Sequence, residues 1–195
     1  MIDRGGRTTV AMALALVASS CLFTKGDPTR FYVLTPTVAP SDAAPGPLTI
    51  GLGPIVMPGY LQRPSLATRV DSAEIRYAEF DRWAEPLPTL FARALGDDLS
   101  ALLDAARIVP YPWYPVTRLD LVVGVDVNAF EPDVSGNARL EACWTVKNPR
   151  TATVTRAECG SIAEASDGGG PQSRVNVLSR MVGELARRIA VTLRS

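Results

Sequence analysis

Histidine is absent from all 195 residues. That removes the side chain most used as a general base and as a metal ligand. The three cysteines, Cys21, Cys143 and Cys159, show no Cys-x-x-Cys spacing. No Gly-x-Ser-x-Gly elbow and no Gly-x-x-x-x-Gly-Lys phosphate cradle occurs. Gly168-Gly169-Gly170 has no strand before it and no lysine after it, and reads as a loop. Asp97-Asp98 is an acidic pair, but neighbouring helix positions diverge by about 100°, so both carboxylates are expected on a solvated face. No spacing predicts the two converging carboxylates a hydrolase would need. Net charge is also missing. Twenty basic residues balance twenty acidic ones, which leaves no electrostatic footprint for nucleic acid and no polybasic patch for anionic lipid heads. The search for catalysis is negative, and the chain is expected not to be an enzyme and to hold no metal or cofactor.

A long apolar run is lacking as well. The stretch from Val10 to Ala18 falls short of the roughly 20 residues a spanning helix needs. It follows Arg4 and Arg7 and precedes Ser19-Ser20, the layout of a secretory leader. The next residue is Cys21. Ala18-Ser19-Ser20-Cys21 resembles a bacterial lipobox, in which the cysteine is lipidated and becomes the mature N-terminus. The alternative is an ordinary leader cut near Ser20. Acyl chains on Cys21 would provide stable anchoring, and Leu22 after the cysteine, by the same resemblance, favours the outer membrane. This divides the chain into a leader (residues 1–20), a tether (21–29) and one domain (30–195), long enough to bury a core.

With Cys21 acylated, Cys143 and Cys159 remain as a pair, and an exported chain meets an oxidising compartment. Residues 139–147 and 153–163 read as strands joined by a turn at Asn148-Pro149-Arg150-Thr151. Centring that hairpin on Thr151 sets Cys143 opposite Cys159, within disulfide reach. Two free thiols are the other reading.

Strands are also expected at residues 30–34, at 48–56, and in a hairpin of 66–70 with 74–78 around Asp71-Ser72. Residues 37–47 read as a loop and 57–60 as a turn. Leu119, Leu121, Val123, Val125 and Val127 alternate cleanly as a half-buried strand. One helix is expected from near Pro86 to Leu103 and another from about Arg174 to Leu193, both with apolar stripes of 3.6 period. Between them, the prolines of Pro110-Tyr111-Pro112-Trp113-Tyr114-Pro115 forbid a central strand, so its aromatics need a packing site. The expected architecture is α+β: a mostly antiparallel sheet with two long helices on one face.

Two segments stand out from this frame. Tyr60-Leu61-Gln62-Arg63-Pro64 follows a strand and reads either as a packed loop or as a partner-binding loop. Arg82-Trp83-Ala84-Glu85 precedes the first helix and reads either as an organised helix entrance or as a contact surface. Tyr60, Leu61, Arg63, Arg82 and Trp83 are therefore the candidate partner-binding residues.

Taken in order, several blocks resemble the ABC-type transport auxiliary lipoproteins, the PqiC (YmbA-like) family. They are Phe31-Tyr32-Val33-Leu34, Ile50-Gly51-Leu52-Gly53-Pro54-Ile55, Pro58-Gly59-Tyr60-Leu61-Gln62-Arg63-Pro64, Phe80-Asp81-Arg82-Trp83-Ala84-Glu85-Pro86-Leu87 and Val109-Pro110-Tyr111-Pro112-Trp113. Trp144 and the closing Ile189-Ala190 fit as well. The resemblance implies a non-catalytic lipoprotein of the outer membrane, facing the periplasm. It implies a partner with an MCE domain in a system moving lipid between two membranes, and self-association is compatible with such a role. The alternative is a lipoprotein that binds lipid or another ligand alone, which would need a sizeable apolar cavity; the regular apolar stripes point to a filled core.

Overall fold

The computed structural model describes residues 26–39, 48–103, 106–114 and 117–194. The leader, Cys21, the first part of the tether and most of the proline-rich loop before Leu48 lie outside the described residues. The elements run β1 (Arg30–Tyr32), β2 (Leu48–Val56), a 3-10 turn (Gly59–Gln62), β3 (Ser65–Arg69), β4 (Ile75–Trp83), α1 (Leu87–Leu102), β5 (Ala106–Pro110), β6 (Leu121–Pro132), β7 (Asn137–Lys147), β8 (Val154–Ala165) and α2 (Pro171–Arg194). The fold is α+β, with a five-stranded sheet ordered β5-β2-β6-β7-β8 and a three-stranded sheet ordered β1-β4-β3.

The sheets are mixed. The β6-β7-β8 meander is antiparallel and carries the longest ladders, while β2 runs parallel to both β5 and β6, and β1 parallel to β4. The antiparallel part follows from turns that local sequence reveals. The parallel part follows from long crossovers: the chain leaves β2, builds β3, β4 and α1, and only then returns as β5 and β6.

Both helices cover one face of the large sheet. Helix α1 buries Leu87, Leu90, Phe91, Ala94, Leu95 and Leu99. Its Phe91 meets Phe130 of β6 edge-to-face, with ring centroids 5.2 Å apart. Helix α2 starts three residues earlier than expected, at Pro171, because proline suits a first helical position. It seats Val175, Leu178, Met181, Val182, Leu185 and Ile189 in the same core. Facing them, Leu140, Ala142, Trp144 and Val146 alternate inward from β7. The Trp144 indole donates to Thr192 Oγ1 of α2 at 3.1 Å.

On the opposite face, Cys143 pairs in register with Cys159 and the two form a disulfide, with Cα atoms 3.9 Å apart. The proline-rich connector folds back over that face. Trp113 lies so close to Gly51 of β2 that a Cβ there would stand 2.8 Å from its ring, and Trp113 also packs edge-to-face on Tyr111. Trp113 thus finds a packing site, whereas Tyr111 and Tyr114 remain 56% and 79% exposed.

One acidic residue departs from expectation. Asp97 is exposed, but Asp98 is fully buried. Asp98 stands four residues after Ala94 and seven after Phe91, which places it on the buried stripe that its neighbour avoids. Its Oδ1 accepts the backbone N–H groups of Thr37 and Val38, each at 2.7 Å. Ser179 Oγ of α2 accepts that of Thr35 at 3.2 Å. Together they tie the strap after β1 across the two helices. Burial raises the Asp98 pKa against the opposing pull of those two N–H donors.

Candidate docking surface around the Tyr60 loop

The structure brings the two singled-out segments together. Ser65 of β3 pairs with Arg82 of β4, and the Trp83 N–H donates to the Pro64 carbonyl at 2.7 Å. The loop itself is a single 3-10 turn, closed by Leu61 N–H on the Pro58 carbonyl at 3.0 Å and by the Gln62 amide on the Met57 carbonyl at 2.9 Å. It is thus a turn held by its own hydrogen bonds at the surface.

Beneath the turn lies a polar cluster centred on Glu131, which is only 2% exposed. Its Oε2 accepts the Tyr60 hydroxyl at 2.7 Å and the Phe130 N–H at 2.8 Å, and its Oε1 accepts Arg69 Nε at 2.6 Å. The Arg69 guanidinium also stands 5.9 Å from the Tyr60 ring centroid. Burial, then the bond to Glu131, pushes the Tyr60 phenol well above its ordinary range. The bond to Glu131 likewise raises the pKa of Arg69. A buried carboxylate with its partners in place can be accommodated, whereas one deprived of a partner is costly. The cluster holds the turn, β3 and β6 together.

The five candidate residues separate by burial. Leu61 is 3% exposed and Trp83 6%, so both are committed to the core. Trp83 lies at the end of β4, paired with Tyr32 of β1, three residues before the Pro86 cap of α1, so it belongs both to the small sheet and to the helix entrance. Tyr60 is half-buried and bonded through its hydroxyl. Arg63 is exposed, with its guanidinium 4.7 Å above the Tyr77 ring. The Tyr77 hydroxyl in turn donates to the Tyr60 carbonyl at 3.1 Å. Arg82 is exposed on the outward face of β4. Arg63 and Arg82 are the two of the five whose side chains the fold leaves available.

Sequence patterning missed Arg69, Tyr77 and above all Glu131. The available signal was a glutamate followed by proline inside an apolar run, Ala129-Phe130-Glu131-Pro132. A register shift in β6 between Val127 and Ala129 interrupts the alternation there, which hides its inward direction.

Below the turn is a cavity of about 30 Å³ walled by Leu61, Leu66, Trp83, Leu87, Phe130 and Leu178, large enough for a water or two. A groove of about 570 Å³ runs between α1 and the ends of β2 and β5, over Leu52, Ile55, Ala92 and Ile108. Among the described residues no group of three or more acidic or cysteine side chains could hold a metal ion, and no helix is long and apolar enough to cross a membrane.

Comparisons with known proteins agree with this fold. A crystal structure of an uncharacterised protein superposes with a TM-score of 0.70 at 16% identity, over 85% of this chain and 98% of that one. The protein XCC0632 from Xanthomonas campestris superposes with a TM-score of 0.65 at 15% identity, over 83% of this chain and 92% of that one. At such identities the likeness establishes the fold alone. None of the curated proteins matches the chain. The model of the ABC-type transport auxiliary lipoprotein component matches residues 32–190, nearly the whole domain, from β1 through most of α2, and the chain belongs to that family.

Proposed function

We propose that the protein is a non-catalytic auxiliary subunit of an ABC-type system that moves lipid between two membranes. In this reading it is anchored through acylated Cys21 in the outer membrane, faces the periplasm, and docks onto an MCE-domain partner. The family match over residues 32–190 is the observation that carries the reading. The hydrogen-bonded Tyr60 turn, with Arg63 held out over Tyr77, supports a protein-docking role, since arginine at a pre-organised site loses little freedom on binding. The covalent lipid on Cys21 is the one non-protein group the reading needs.

The test is crosslinking in intact cells with a photoreactive residue at Arg63 and, as a control, at Val154 on β8. Capture of an MCE-domain protein from position 63 and not from 154 supports the reading. Equal capture from both positions, or none from either, counts against it.

A second reading is favoured by the groove beside α1. Its volume of about 570 Å³ falls within the range of small-molecule sites, and its floor is apolar. A stand-alone lipid- or ligand-binding lipoprotein would use it. Native mass spectrometry of the purified protein separates the two: stoichiometric retained lipid, lost in an Ala92→Trp variant that fills the groove, favours the second reading.

A further inference from the structure

The three-stranded sheet has one face turned away from the core. Along β1, the residue that follows it and β4, the sheet presents Phe31, Val33 and Phe80, which are 64%, 45% and 42% exposed. Phe31 pairs directly with Arg82, so their side chains share that face, and Phe80 is exposed two residues before Arg82, where the pairing of β4 with β3 shifts register. Tyr32 and Trp83, the alternate pair, point inward and are buried. Single exposed apolar residues are ordinary, but three on one small sheet face form a patch.

The patch lies where the tether leaves the domain. Asp27 accepts the Thr29 hydroxyl at 2.6 Å and the Thr29 N–H at 2.9 Å. Those bonds, and also the field of Arg82, hold its carboxyl below the usual range. The chain enters the domain at β1, where Arg30 pairs with Asp81 and holds its carboxylate at 2.9 Å, next to Phe31 on the strand that carries the patch. Five residues lie between Cys21 and Asp27, and the six steps reach at most about 20 Å fully extended. A domain of this size is roughly 40 Å across, so such a tether keeps its exit face towards any bilayer that holds the lipid.

We infer that the Phe31, Val33 and Phe80 face rests on the membrane surface as a second, non-covalent contact beside the lipid on Cys21. The inference rests on the anchoring part of the proposed function and extends it to the orientation of the domain. Phenylalanines settle at the level of the lipid headgroups and upper acyl chains, Arg82 keeps its charge in the phosphate layer, and Arg63 stays free for the protein partner. A second contact of this kind fixes the direction in which the Tyr60 turn is presented, which one flexible lipid would leave free.

The test uses the full acylated protein in vesicles of phosphatidylethanolamine and phosphatidylglycerol containing a lipid with a nitroxide on its upper acyl chain. A fluorophore is attached at Phe31→Cys or, as a control, at Val154→Cys, with the native disulfide left intact. The expected result is at least twofold quenching at position 31 and little at 154. Protein that floats with the vesicles but is quenched equally weakly at both positions keeps the anchor and overturns the docking. So does a position-31 label that is shielded from aqueous iodide yet unquenched by the nitroxide lipid, because another protein or a second copy would then cover the face. Wild-type protein that fails to float overturns the anchor, and the inference with it.

Discussion

Glu131 carries the heaviest demand of any single residue, because three donors converge on a carboxylate shut away from water. Glu131→Ala strands Arg69 and Tyr60, and a loss of about 3–5 kcal/mol is expected in denaturant unfolding. Arg63→Ala removes only an exposed guanidinium over Tyr77 and is expected to cost less than about 1 kcal/mol. Trp83→Ala is a poor probe of binding, since emptying a buried aromatic site costs about 3–5 kcal/mol whatever the partner does. Asp98 has a signature in pH. Its folded pKa is raised, so between the unfolded and folded values the native state holds more protons than the unfolded one. Stability attributable to Asp98 therefore falls as pH rises through that window, and the cost is relieved on acidification. Thermal melting from neutral pH down towards the ordinary aspartate range should show a rise in the wild type, relative to Asp98→Asn. Parallel curves would mean that Asp98 does not titrate in that window.

At the scale of elements, the β7-β8 hairpin and helix α1 make separable contributions. The disulfide closes a loop with a sequence separation of 16, and reducing it or replacing both cysteines with serine should lower stability by about 3 kcal/mol in the chain-entropy picture. Melting with and without reductant measures this, and equal curves would show that the bridge adds nothing. Phe91→Ala should cost about 3–5 kcal/mol, because Phe91 is fully buried against Phe130 and joins α1 to β6. These elements were readable from local pattern. The turn at Asn148-Pro149 set the hairpin register, and the 3.6 period marked both helices. Asp98 and Glu131 were not readable in that way. The direction of Asp98 depends on helical phase relative to the core, and that of Glu131 on a strand irregularity that no residue type announces.

For the whole molecule, the proposed anchoring predicts that a fatty-acid probe labels the wild type and leaves Cys21→Ala unmarked in growing cells. Equal labelling of the two would remove the anchor. The family assignment spans both sheets and both helices, so it describes the domain as a unit rather than one motif. The blocks that carry the family resemblance end up in different roles. Arg63 and Arg82 reach solvent, while Leu61 and Trp83, their immediate neighbours, hold the core.

Periodicity, turn residues and the cysteine spacing were enough to read the α+β class, the two helices, the β7-β8 hairpin and its bridge, since each depends on residues close together in the chain. The parallel pairing of β2 with β5 and β6, the burial of Asp98, and the cluster of Tyr60, Arg69 and Glu131 join positions about 60 or more residues apart in most cases. Such contacts follow from the path of the crossovers and the closing of the core. They emerge only when distant segments are packed together, because no short-range preference records which of them will meet.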